Sequence, residues 1–62
     1  MMRLTDREQQ MFDLIRKGKT NPEIAKELGV MVPYVKVAVM RIRKKVGAVN
    51  RYQMILMNNQ GA

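Results

Sequence analysis

Apolar residues recur along the chain with helical spacing, and glycines separate them into four segments. In the first two segments the apolar positions are 11, 12, 14 and 15, and then 24, 25 and 28. The third segment runs unbroken over 33–46, which would be unusually long for a strand. We therefore predict an all-α fold with helices at about 5–17, 20–28, 32–46 and 50–58, followed by a disordered tail at 59–62.

Capping signals mark the starts and ends of the first two helices. Thr5–Glu8 and Thr20–Glu23 both have the spacing of a capping box, in which the threonine hydroxyl and the glutamate carboxylate each accept a backbone N–H. Gly18 and Gly29 follow the two segments, and glycine commonly ends a helix. Two capping boxes that are each closed by glycine predict two short consecutive helices.

The fourth segment is apolar around most of its circumference over 52–57, so a helix there needs cover on more than one side. Met54 and Ile55 share one side, whereas Tyr52 and Leu56 stack four residues apart on another. We expect one pair to pack on the other helices and the other to face a second copy. The predicted dimerisation residues are Tyr52, Ile55 and Leu56.

Composition excludes several classes of function. The chain has no cysteine or histidine and only five acidic residues, so disulfides, the usual zinc sites and histidine-based catalysis are excluded. We expect no enzyme, no catalytic residue, no metal or other cofactor and no small-molecule ligand. The chain also lacks an apolar run long enough to span a bilayer, and its N-terminus is charged by residue 3, so we expect a cytoplasmic protein.

The positive charge is concentrated in the second half. Twelve lysines and arginines against five acids give a net charge of +7, and 29–62 contains six of these bases and no acid. Such a block indicates a polyanionic partner. The second and third predicted helices, joined by a turn at Gly29, form a helix-turn-helix pattern, whose second helix lies in the major groove of DNA.

Helical spacing also predicts which side of the third helix faces outward. One side carries Val35, Ala38, Val39, Ile42 and Val46, and the opposite side is centred on Val37, Met40 and Lys44. We expect the bases to hold phosphates and Val37 and Met40 to contact thymine methyl groups. The predicted DNA-binding residues are Thr20, Asn21, Tyr34, Lys36, Val37, Met40, Arg41, Arg43 and Lys44.

Short motifs along nearly the whole chain carry a family resemblance. They are Leu4–Thr5 with Arg7–Glu8, Leu14–Ile15, Gly18, Asn21, Glu23–Ala25, Leu28, Val30, Val35–Lys36, Ile42, Lys45–Val46, and Asn50–Arg51 with Gln53. On these residues the chain resembles the LuxR/FixJ-type (GerE-like) helix-turn-helix domain, without a gap. A weaker resemblance is to the last helix-turn-helix of bacterial sigma factors. The LuxR resemblance implies a four-helix DNA-binding domain whose third helix reads DNA and whose fourth makes dimer contacts.

The sequence departs from the family pattern on its third helix. Met31 stands where the family usually has a serine or threonine cap, Tyr34 replaces a threonine, and Ala38 replaces a common histidine. Met40 lies where relatives often have a polar or basic residue. Our interpretation is a small, stand-alone, sequence-specific regulator that binds double-stranded DNA as a homodimer and is associated with the bacterial nucleoid.

The alternative is an interaction module that binds another regulator or RNA polymerase through the apolar face of the third helix. A membrane-surface helix is the least favoured option, because the bases and the apolar residues lie on different helices.

Overall fold

Four helices make up the fold in the computed structural model, which describes residues 3–57. They are α1 (Asp6–Arg16), α2 (Asn21–Leu28), α3 (Val32–Val46) and α4 (Arg51–Leu56), and the described residues contain no strand. The predicted all-α, four-helix class is therefore confirmed. None of these helices is long and apolar enough to cross a membrane.

Both capping boxes are formed. The Glu8 N–H donates to Thr5 Oγ1 over 3.1 Å, and the Thr5 N–H donates to Glu8 Oε1 over 2.9 Å. Thr20 and Glu23 repeat the arrangement over 3.3 and 2.8 Å, and the Thr20 N–H lowers the pKa of Glu23. At the other end of α2, Gly29 adopts a φ of 70°, a conformation that side chains other than glycine disfavour.

The core draws on all four helices. α1 packs against the other three, α2 packs against α3, and α3 packs against α4. The completely buried side chains are Met11, Ile15, Ile24, Val35, Ile42 and Met54. The inner side of α3 thus lies against the core over several turns, which fixes the direction of its outer side.

α4 is shorter than the predicted span of 50–58. Asn50 caps its start by accepting the Gln53 N–H over 2.8 Å, and the helix ends at Leu56 because the Met57 backbone is extended. Arg16 Nε donates to the Met57 carbonyl oxygen over 2.9 Å, so α1 contacts the chain just past the end of α4. The predicted tail at 59–62, together with Asn58, lies outside the described residues.

The two apolar pairs of α4 lie on different sides of the helix. Met54 is completely buried and Ile55 is half-buried against the same core. Tyr52 and Leu56 remain 68% and 66% exposed. Ile55 was predicted to face a partner molecule. Only part of its side chain is exposed for such a contact, because Ile55 lies beside Met54 on the side of α4 that packs against the core.

Candidate nucleic-acid interface

The turn between α2 and α3 is formed by main-chain hydrogen bonds rather than by side chains. The Val30 N–H donates to the Ala25 carbonyl over 2.9 Å, and the left-handed conformation of Gly29 ends α2. α3 then begins without a side-chain cap, since the N-cap residue is Met31, and Pro33 occupies its first turn. The result is a helix-turn-helix unit whose second helix is the longest of the four.

The exposed residues of α3 form a stripe that we call the outer face. At its centre Val37 and Met40 are 50% and 53% exposed, and Tyr34, which is 50% exposed, lies at the edge that also carries Arg41. Lys36 and Arg41 are exposed on opposite edges of this stripe, and Lys44 continues it toward the end of the helix. The outer face therefore combines an apolar centre with cationic edges.

Three other cations of the basic block are used inside the molecule. Lys45 Nζ lies 2.7 Å from Glu8 Oε1 on α1, an ion pair that lowers the pKa of Glu8 together with the hydrogen bond from the Thr5 N–H. Arg43 Nη1 donates to the carbonyl oxygens of Ala48 and Val49 over 2.9 and 3.4 Å. Arg43, predicted to hold phosphate, thus stabilises the loop before α4.

Arg51 is the third of these cations, and it connects α4 to the start of α2. Its Nη1 donates to Asn21 Oδ1, and its Nη2 donates to the Lys19 carbonyl oxygen over 2.8 Å. Asn21 was predicted to bind DNA, and this contact occupies its Oδ1 while leaving the amide nitrogen as its donor. Thr20 is exposed, and its hydroxyl accepts the Glu23 N–H as helix cap.

A groove runs between the start of α1 and the outer face of α3. It encloses about 520 Å³ and is lined on the α1 side by Thr5, Arg7, Glu8 and Met11. Tyr34, Val37, Ala38 and Arg41 line it on the α3 side. Arg7 therefore lies beside the outer face, on the other side of the groove. This cation was not among the predicted DNA-binding residues, although it lies in the Leu4–Glu8 motif.

Comparison with models of protein families matches residues 2–58 of the 62-residue chain to the bacterial regulatory proteins of the luxR family. The chain belongs to this family. Its helix-turn-helix domains are DNA-binding transcription regulators rather than enzymes, and the resemblance inferred from the motifs is confirmed. No match was found among the curated proteins.

A second exposed apolar surface of this luxR-family domain lies on α4 and the residues before it. Val49 is 72% exposed and stands just before α4, close in sequence to the exposed Tyr52 and Leu56. We call Val49, Tyr52 and Leu56 the α4 surface. Val49 was missed by sequence reasoning because it precedes the helix and therefore does not take part in its periodicity.

Proposed function

We propose that this luxR-family domain binds double-stranded DNA sequence-specifically by inserting the outer face of α3 in the major groove. The observation that carries the proposal is the division of the cations. The side chains of Lys36, Arg41 and Lys44 are exposed and make no hydrogen bond within the described part of the chain, whereas those of Lys45 and Arg51 are used internally.

The geometry of the outer face suits a groove walled by phosphates. An α-helix fits the major groove of B-form DNA, which is about 12 Å wide. Lys36 and Arg41 extend from opposite edges of α3, so each can approach the phosphates of a different strand. No acidic residue occurs over 29–62 to oppose this field.

The start of α2 supports a second contact with the DNA backbone. Thr20 and Asn21 lie where the main-chain N–H groups of the helix create positive potential. Arg51 holds the Asn21 amide through its Oδ1, so the amide nitrogen is the group left to donate to a phosphate oxygen. α2 would then fix the position of α3 along the duplex.

The α4 surface supports a homodimer as the DNA-binding form. Tyr52 and Leu56 stack on the side of α4 that the core does not cover. Contact of this surface with itself gives a closed two-fold pair. Because one short helix contributes little area, the free dimer is weak, and DNA with two half-sites strengthens it by holding both copies together.

The salt dependence of DNA binding tests this function. If each domain neutralises about four to six phosphates, log K falls against log salt with a slope of about −0.9 per phosphate. Lys44→Ala should weaken binding to all sequences and make the slope shallower by about one. Lys45→Ala is the matched control, because it removes the same charge from an adjacent residue that is paired with Glu8.

A binding curve that is flat between low and moderate salt would contradict DNA binding through phosphates. Equal effects of Lys44→Ala and Lys45→Ala on the slope would contradict the division of the cations. Fluorescence anisotropy with a labelled duplex at several salt concentrations measures both quantities.

The groove beside α3 favours one second candidate function. Its apolar lining, including Tyr34 and Val37, could hold a side chain of another regulator or of RNA polymerase. Binding carried mainly by these apolar side chains would depend much less on salt than binding to phosphates. The same titration against a protein partner therefore separates the two functions.

A further inference from the structure

The centre of the outer face lacks the groups that usually read base edges. Val37 has no hydrogen-bonding side-chain atom, and Met40 has only a thioether sulfur, which is a weak acceptor. Both side chains are about half-exposed, at 50% and 53%. In the major groove, the one apolar group that the four standard bases present is the C5-methyl group of thymine.

We infer that Val37 and Met40 recognise the C5-methyl group of pyrimidines, which thymine and 5-methylcytosine both carry. This inference rests on the proposed insertion of α3 in the major groove. 5-Methylcytosine carries its methyl group at the same ring position as thymine, so the two bases present the same apolar surface there. DNA methylation at a suitable cytosine would then strengthen binding.

The rest of the outer face determines what can cover this apolar centre. Lys36, Arg41 and Lys44 surround it, and the described part of α3 has no acidic residue. An occupant must therefore be negatively charged at its edges and apolar between them. Duplex DNA has this arrangement, because methyl groups line the floor of the groove between two rows of phosphates.

The packing of α3 against the core holds the outer face in place, which makes its contact with a methyl group selective. Val35 and Ile42, on the inner side of α3, are completely buried and hold the helix against the core. Val37 is β-branched and restricted in χ1, so its methyl groups have a defined position. Met40 is flexible and can adjust to a methyl group nearby. Cytosine, with or without a C5-methyl group, also presents its amino group here, for which Val37 offers no acceptor and Met40 only a weak one. Methylation of cytosine therefore adds the apolar contact without removing this cost.

Base substitution in a bound duplex tests the inference. The duplex is a site selected from random DNA by the wild-type protein, and each thymine is replaced in turn by uracil, which lacks only the methyl group. At one or two positions per half-site uracil should weaken binding about fourfold, the effect of burying one methyl group. Replacing thymine by cytosine at the same positions should weaken binding further than uracil does. 5-Methylcytosine at these positions should bind about fourfold more tightly than cytosine.

Two variants connect the effect to the side chains. Val37→Ala and Met40→Ala should each reduce the preference for thymine over uracil without changing the salt slope, since neither residue carries charge. Lys44→Ala should do the reverse, making the slope shallower and retaining the preference. Anisotropy titrations with the thymine and uracil duplexes provide both readouts.

The outcomes separate this inference from the proposed function. Salt-dependent binding with equal affinity for thymine and uracil at every position overturns methyl recognition and leaves DNA binding intact. A preference for thymine that Val37→Ala and Met40→Ala both retain also overturns it. No salt-dependent binding to any duplex overturns the proposed function and the inference together.

Discussion

Replacing Arg51 by alanine should destabilise the fold, because this side chain joins α4 to the start of α2. The guanidinium donates one hydrogen bond to Asn21 and one to the Lys19 carbonyl, and it is half-buried. A hydrogen bond that involves a charged group contributes about 1.5–3 kcal/mol when buried, and solvent reduces this value. We expect Arg51→Ala to lower the free energy of unfolding by about 2 kcal/mol.

Thermal denaturation followed by far-ultraviolet circular dichroism measures this loss. In a domain of this size, a change of about 2 kcal/mol corresponds to a decrease in Tm of about 8–16 °C. Arg51→Lys keeps the charge but not the planar fork that reaches both acceptors, so it should recover only part of the stability. Arg41→Ala is the control, since this exposed arginine should change stability by less than about 0.5 kcal/mol.

A double-mutant cycle shows whether Arg51 acts through Asn21. Asn21→Ala removes one of the two acceptors, so its effect and that of Arg51→Ala should not add. If Arg51→Ala unfolds at the wild-type temperature, or if the two effects add fully, the contact between α4 and α2 does not stabilise the protein and our reasoning on Arg51 is refuted.

Four further substitutions test other parts of the structure. Leu56→Glu should leave the monomer as stable as wild type and abolish cooperative binding to a duplex with two half-sites, measured by gel shift. Met54→Ala should instead cost about 2–5 kcal/mol of stability, because Met54 is completely buried. A cooperative complex unchanged by Leu56→Glu would place the dimer contact elsewhere. The lowered pKa of Glu8 means that its ion pair with Lys45 stabilises the protein above the pKa of the unfolded state, and that this contribution is lost as the pH falls through the lower pKa of the folded state. Glu8→Gln should therefore be less stable than wild type in urea denaturation at neutral pH and equal to it in acid, and a gap that persists in acid would contradict the ion pair. Met40→Lys should shift the selected DNA sequence toward guanine, whose O6 and N7 lysine can contact, and an unchanged consensus would show that Met40 does not contact bases.

The helices were predictable because their signals are local. Thr5 and Thr20 each lie three residues before a glutamate, and the structure forms both capping boxes. The periodicity of α3 likewise separated Val35 and Ile42, which are buried, from Val37, which is exposed. Such patterns depend on residues within one or two turns, so they can be recognised without knowledge of the tertiary structure.

The pairing of the cations could not be predicted in the same way. Lys45 meets Glu8 across 37 positions of sequence, and Arg51 meets Asn21 across 30. Long side chains reach partners that only the packing of the helices brings close, so counting charges overestimates how many are free. Arg43 illustrates this, since its position predicted a phosphate contact and its guanidinium contacts the loop before α4.

Selection of bound sites from random duplex DNA tests the central proposal most directly. If α3 lies in the major groove and the α4 surface joins two copies, the selected sites will share a two-fold symmetric consensus. Its half-sites will lie about one helical turn apart, roughly 34 Å, or a multiple of that distance. Recovery of no common sequence, at a salt concentration where the protein still binds DNA, would contradict sequence-specific recognition by the outer face of α3.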